Sequence, residues 1–124
     1  MSDLVIERVN RSSIVSINRA ESRNALTRGV VTGLTQAISA AATNKDVRCI
    51  VLSGVGGNFC AGADLRRNFA EDPNLLENLG TYMDEYHALI GAMVRSPKPL
   101  IAMLDGCAVG FGADLALACD LRVV

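Results

Sequence analysis

Leu4, Ile6 and Arg8 alternate with Val5, Glu7 and Val9, Asn10-Arg11-Ser12 breaks the run, and Ile14, Val15 and Ile17 resume it. Two apolar runs around a polar break predict a β-hairpin. After an irregular polar stretch from Asn18 to Arg23, Thr27 stands as an N-cap before Val30, Val31, Leu34, Ala37, Ile38 and Ala41, whose spacing predicts a helix through about Ala42. Gly29 and Gly33 each weaken that helix by about 1 kcal/mol relative to alanine, so a docked face must hold it. Val47 to Ser53, with its continuous Cys49-Ile50-Val51-Leu52 run, predicts a buried strand, and Leu100 to Leu104 predicts another. Between them Leu79, Met83, Tyr86, Ile90 and Met93 form one apolar face of a long helix ending near Arg95, where Ser96-Pro97-Lys98-Pro99 stops it. The stretch from Arg66 to about Asn74 is polar and closed by Asp72-Pro73-Asn74, the pattern of a mobile surface segment. Gly112 to Cys119, apolar at Leu115, Leu117 and Ala118, predicts a short buried helix, and Asp120 to Val124 a last strand. The resulting order, β-β-α-β-α-β-α-β, is that of an α/β domain with crossover connections. A final strand without a covering helix reads as an incomplete domain over residues 1–124, cut or naturally short.

Both buried strands run into glycine-broken turns, Phe59-Cys60-Ala61-Gly62-Ala63-Asp64-Leu65 and Gly106-Cys107-Ala108-Val109-Gly110-Phe111-Gly112-Ala113-Asp114. Open α/β sheets bind ligands at the carboxyl ends of their strands, where backbone N–H groups are free of the ladder. Two such groups from neighbouring turns can converge on one oxygen. Gly54-Val55-Gly56-Gly57-Asn58 does not make a dinucleotide fingerprint, which needs a helix opening directly off its glycines; here the chain runs on to Phe59 and a further turn.

Composition narrows the class. Twelve basic residues against thirteen acidic ones leave no basic patch for nucleic acid or an anionic membrane. The most apolar stretch, Leu100 to Ala118, contains Asp105 and Asp114, and no signal peptide precedes the charged N-terminal strand, so the expected home is the cytoplasm or another reducing space. Four cysteines without C-x-x-C spacing and a single histidine argue against a metal site or a disulfide framework and for small packing residues.

Three separated motifs, Asn18-Arg19-Ala20-Glu21-Ser22-Arg23-Asn24-Ala25-Leu26, Phe59 through Leu65 and Gly106 through Asp120, together resemble the enoyl-CoA hydratase/isomerase (crotonase) family over nearly the whole chain. The resemblance implies a spiral of ββα units, truncated before the C-terminal helices that cover the acyl pocket and build trimers. It also implies acyl-CoA thioester substrates and an oxyanion hole that stabilises a thioester enolate. By position, the donors would be the N–H groups of Ala63 and Phe111, with phenylalanine where many members carry glycine. Asp114 stands where hydratases carry their first catalytic glutamate, and the second glutamate belongs to a region beyond Val124. Coenzyme A would lie along Arg23 to Ala25 and Ala61 to Arg66, touching Arg23, Ala25, Ala61, Asp64, Leu65 and Arg66, with Arg67 a further phosphate partner. No separate cofactor is implied, because coenzyme A is part of the substrate. A homo-oligomer, trimer or hexamer, follows if the full-length pattern applies.

Taken on their own chemistry, several of these residues have a second reading. Asp114 suits a helix-turn aspartate capping nearby N–H groups as well as it suits an acid/base, and Asp64 suits the cap of the next helix. His87 borders the apolar stripe of the long helix as a packing or surface residue. Three functions stay open: a hydratase or isomerase, a chain that binds acyl-CoA or a partner subunit without turnover, and a nicotinamide-dependent enzyme.

Overall fold

The computed structural model describes residues 2–124. The hairpin forms as expected, β1 (Leu4–Val9) antiparallel to β2 (Ser12–Ile17), with Asn10 supplying the left-handed residue of the turn at φ 54°. β3 (Cys49–Gly54), β4 (Leu100–Met103) and β5 (Leu121–Val123) then add in parallel, giving one mixed sheet in the order β1-β2-β3-β4-β5. Strand ends fall within a residue or two of the expected ones.

Helix α1 (Arg28–Thr43) is capped by Thr27, whose Oγ1 accepts from the Val30 N–H at 3.2 Å. It buries Val30, Val31, Leu34, Ile38 and Ala41. At about 1.5–3 kcal/mol for each fully buried aliphatic side chain, that face outweighs the cost of two helical glycines. Gly33 also has a packing reason, since a Cβ there would stand 2.7 Å from Leu4 Cδ1. Helix α1 packs on β1, β2 and β3 from one side and on α3 (Leu79–Arg95) from the other, and the buried side chains of both helices share one core with Val15, Ile17, Ile50, Leu52, Leu100 and Ala102.

Three expectations are corrected. The segment expected to be mobile contains a helix, α2 (Leu65–Glu71), because Asp64 caps it and Asn68 is fully buried and hydrogen-bonded. The buried face of α3 is Tyr82, Tyr86, Leu89 and Met93, rotated from the apolar stripe; Leu79 and Met83 are exposed, because the Tyr82 hydroxyl oxygen finds buried partners in Asn68 and Tyr86 and takes the inward position. The last helix, α4 (Phe111–Ala118), begins one residue before the expected start and buries Leu115 and Ala116 while Leu117 is exposed. A run of eight mostly apolar residues has no polar side from which its buried face could be read.

Candidate active site

The two glycine turns lie against each other. Cys60 and Ala108 form an isolated parallel bridge in which Cys60 N–H donates to the Cys107 carbonyl and Val109 N–H to the Cys60 carbonyl, both at 3.1 Å. A second bridge joins Leu26 to Ala63: Leu26 N–H donates to Gly62 O, and Asp64 N–H to Leu26 O, each at 2.8 Å. That pairing uses the groups on either side of Ala63 and leaves its own N–H pointing elsewhere. Phe111 is the first residue of α4, where an N–H has no partner within the helix. Among the described residues neither the Ala63 N–H nor the Phe111 N–H has an acceptor.

A positive-φ glycine precedes each of these two residues, Gly62 at φ 94° and Gly110 at φ 56°. Gly110 combines that φ with ψ −131°, a region open to glycine alone, and so turns the Phe111 peptide as an L-residue could not. The turns are close enough that a Cβ on Gly62 would stand 3.5 Å from the Phe111 nitrogen. Ala63, Gly110 and Phe111 share the wall of one cavity of about 490 Å³, completed by Leu65, Leu79, Tyr82, Met83, Tyr86 and Asp114. Both residues border this cavity, and Phe111 stands at the N-terminal end of α4, the positive end of the helix dipole.

Asp114 is the one ionisable carboxylate in that wall. It is exposed, and its carboxylate accepts no bond from any described residue, so the capping alternative has no contact behind it; Gly110 occupies the cap position of α4. The Phe111 ring is held edge-to-face against Tyr86, centroids 4.5 Å apart at 85°.

The residues expected along coenzyme A are brought side by side. Ala61 N–H donates to Arg23 O at 3.0 Å, so the Arg23–Ala25 and Ala61–Asp64 segments run together. Arg23 and Arg66 are exposed, and Arg66 borders a polar cleft of about 550 Å³ with Arg19, Glu21, Ser22, Asp64, Arg67 and Ala70. Leu65 lies on the other side, in the apolar cavity. Asp64 caps α2, as its position suggested: Oδ1 accepts from Arg67 N–H at 3.0 Å and Oδ2 from Arg19 Nη1 at 2.9 Å. Burial alone would raise its carboxyl, but the Arg67 N–H and the Arg19 guanidinium outweigh that and hold it below the ordinary carboxylate range. The Arg67 side chain pairs with Glu71. His87 is exposed and does not line the cavity.

Residues that sequence reasoning passed over hold this arrangement. Arg19, 6% exposed, also donates to Ala25 O at 2.6 Å. Asn24, completely buried, accepts from Arg19 N–H and donates through Nδ2 to Val55 O and Asn58 O. Asn58 Oδ1 in turn accepts from Cys107 N–H at 2.9 Å, so the glycine loop is a tie between the first motif and the second turn. Of these only Asn58, which follows Gly57, has a local signal, and asparagine beside glycine reads equally as an ordinary turn. Cys60 is buried beneath the turn, where burial pushes its thiol up to about 11. All four cysteines are free thiols, and no group of three His, Cys, Asp or Glu among the described residues is placed to hold a metal ion. No described helix is long and apolar enough to cross a membrane.

The family model described as Enoyl-CoA hydratase/isomerase matches residues 10–124. The chain belongs to the enoyl-CoA hydratase/isomerase family. Among its relatives, the mitochondrial methylglutaconyl-CoA hydratase of Homo sapiens is 39% identical over 120 residues, 95% of this chain and 34% of its own. The enoyl-CoA hydratase EchA19 of Mycobacterium tuberculosis is 35% identical over 122 residues, 98% of this chain and 46% of its own. Of solved structures, an enoyl-CoA hydratase from Mycobacterium avium subsp. paratuberculosis superposes with TM-score 0.84 at 30% identity, covering 98% of this chain and 46% of that one. A Pseudomonas aeruginosa protein superposes with TM-score 0.90 at 37% identity, covering 98% and 52%. This family member thus has the α/β fold of crotonase structures, and it spans about a third to a half of the length of these relatives.

Proposed function

We propose that the chain is the carbonyl-binding part of an enzyme acting on acyl-CoA thioesters by hydration or isomerisation. One observation carries this reading: Ala63 and Phe111, whose N–H groups have no acceptor among the described residues, line the same apolar cavity as Asp114, whose carboxylate is unpaired. In the reaction, negative charge gathers on the thioester oxygen when a proton leaves the adjacent carbon or a nucleophile adds to the conjugated double bond. The two prepositioned donors bind that charge, each contributing about 3 kcal/mol to the transition state. Asp114 then holds water or moves a proton at the acyl carbons. The nucleotide end of coenzyme A lies toward Arg23 and Arg66, by the polar cleft.

The second reading is acyl-CoA binding without turnover. It is favoured by the single carboxylate in the cavity, because adding water across a double bond requires both a proton to be taken and one to be given. A hydration assay with crotonyl-CoA, run beside a calorimetric titration with butyryl-CoA, separates the two. The enzyme reading expects turnover that falls by about 10²-fold or more in Asp114→Asn with thioester affinity kept. Affinity without turnover selects the binding reading, and no affinity for either thioester rejects both.

A further inference from the structure

Behind the Phe111 ring lies a chain of buried polar groups whose protons can be counted. Asn68 Oδ1 accepts from Arg28 N–H at 3.1 Å, and Leu26 O, which can only accept, lies 3.2 Å from Asn68 Nδ2; these two partners fix the orientation of the amide. Nδ2 also lies 2.9 Å from Tyr82 Oη, so Tyr82 accepts there. Tyr82 Oη and Tyr86 Oη are 3.0 Å apart and share one proton. Two phenols bring two protons, and one is spent inside the pair. Whichever tyrosine donates to the other, the remaining O–H has no acceptor among the described residues. Tyr82 and Tyr86 are 5% and 3% exposed, and both line the 490 Å³ cavity with Ala63, Phe111 and Asp114.

A buried donor without an acceptor is costly, and a cavity beside it is where the acceptor can arrive. We propose that the Tyr82–Tyr86 pair is a specificity element, whose one free phenolic O–H donates to an oxygen carried by the acyl group in the cavity. The chain would then favour acyl groups bearing a hydroxyl or carbonyl over plain alkyl ones. This rests on the acyl-CoA reading and deepens it. Asn68 is what leaves one proton over: by donating to Tyr82 it forbids the arrangement in which both phenol protons are consumed between the pair and the amide. Of the other side chains in the wall, Leu65, Leu79, Met83 and Phe111 offer such an oxygen no donor, and the Asp114 carboxylate accepts from a ligand hydroxyl without donating to a ligand oxygen, so a preference carried by donation belongs to the tyrosines.

The test measures affinities of wild type, Tyr86→Phe and the Tyr82→Phe/Tyr86→Phe double variant for butyryl-CoA, 3-hydroxybutyryl-CoA and 4-hydroxybutyryl-CoA by calorimetry, with circular dichroism confirming the fold. Wild type should bind one hydroxyacyl thioester about tenfold more tightly than butyryl-CoA, the worth of one well-placed hydrogen bond. In the double variant the ratio of hydroxyacyl to butyryl affinity should fall to about one, read as a ratio so that any general change in acyl affinity cancels. Tyr86→Phe alone should shift the preference only partly, because Tyr82 keeps one O–H. Butyryl-CoA binding with an unchanged ratio in the double variant overturns the specificity proposal and leaves the acyl-CoA reading standing. Absence of binding to all three thioesters overturns both.

Discussion

The two turns present the same chemical group, an unpaired N–H following a positive-φ glycine, yet they are held in opposite ways. Ala63 sits in a polar clamp: Arg19 grips the neighbouring Asp64, Asn24 fixes the facing loop, and Asn68 ties the following helix to Leu26. Phe111 is held by shape. Its ring meets Tyr86 edge-to-face, and Gly112 is pressed so closely on the first turn that an added Cβ would stand 2.2 Å from the Cys60 carbonyl oxygen. A polar clamp fixes direction and depends on charge. A steric contact fixes distance, is indifferent to charge and tolerates no added volume.

The comparison breaks most readily at Gly112. Gly112→Val should cost more than about 3 kcal/mol in urea unfolding, equally at pH 4 and pH 8, because backbone meets side chain with no flexible neighbour to yield. Arg19→Met should cost about 3 kcal/mol near neutrality by leaving Asp64 with half its partners. That cost depends on pH. The folded carboxyl titrates below its unfolded value, so its contribution is present above the unfolded pKa, near pH 4, and fades as pH falls through the folded one. The gap between wild type and Arg19→Met should therefore close in acid, and a gap that stays constant would show that the clamp is packing and not charge. Cys60, shared by both turns, gives the alkaline counterpart. Its folded pKa of about 11 lies above the unfolded one, so stability is full below about pH 8.5 and falls as pH rises; wild type should lose about 2 kcal/mol more than Cys60→Ala between pH 8 and 10.5. The smallest effect on stability should be that of Asp114→Asn, within about 0.5 kcal/mol, since its carboxylate is exposed and unpaired.

The steric half was legible in the sequence and the polar half was not. Apolar periodicity finds α1 because its buried residues are aliphatic, and glycines mark the turns because few other residues adopt those angles. Helix α2 was missed because its inward anchor is Asn68, a residue whose type argues for the surface. For the same reason the face of α3 is legible only in its second half, where Tyr86 and Met93 are buried as expected: Leu79 and Met83 outrank Tyr82 in hydropathy, but Tyr82 has a partner for its hydroxyl oxygen and they face an open cavity. Candidate chemistry followed the same division. Ala63, Phe111 and Asp114 meet in one cavity, whereas Arg19, Asn24 and Asn58, which hold the turns together, carry no motif that separates them from solvated polar residues.

Because the two unpaired donors are main-chain atoms, the genetic code treats them unlike any side-chain group. Every substitution at position 63 or 111 preserves the N–H except one, since proline alone among the coded residues lacks it. Drift at Phe111 can therefore reshape the cavity wall, and with it the ligands admitted, while the donor persists. The heritable weak points are the neighbouring glycines, whose loss would redirect a group that cannot itself be mutated away.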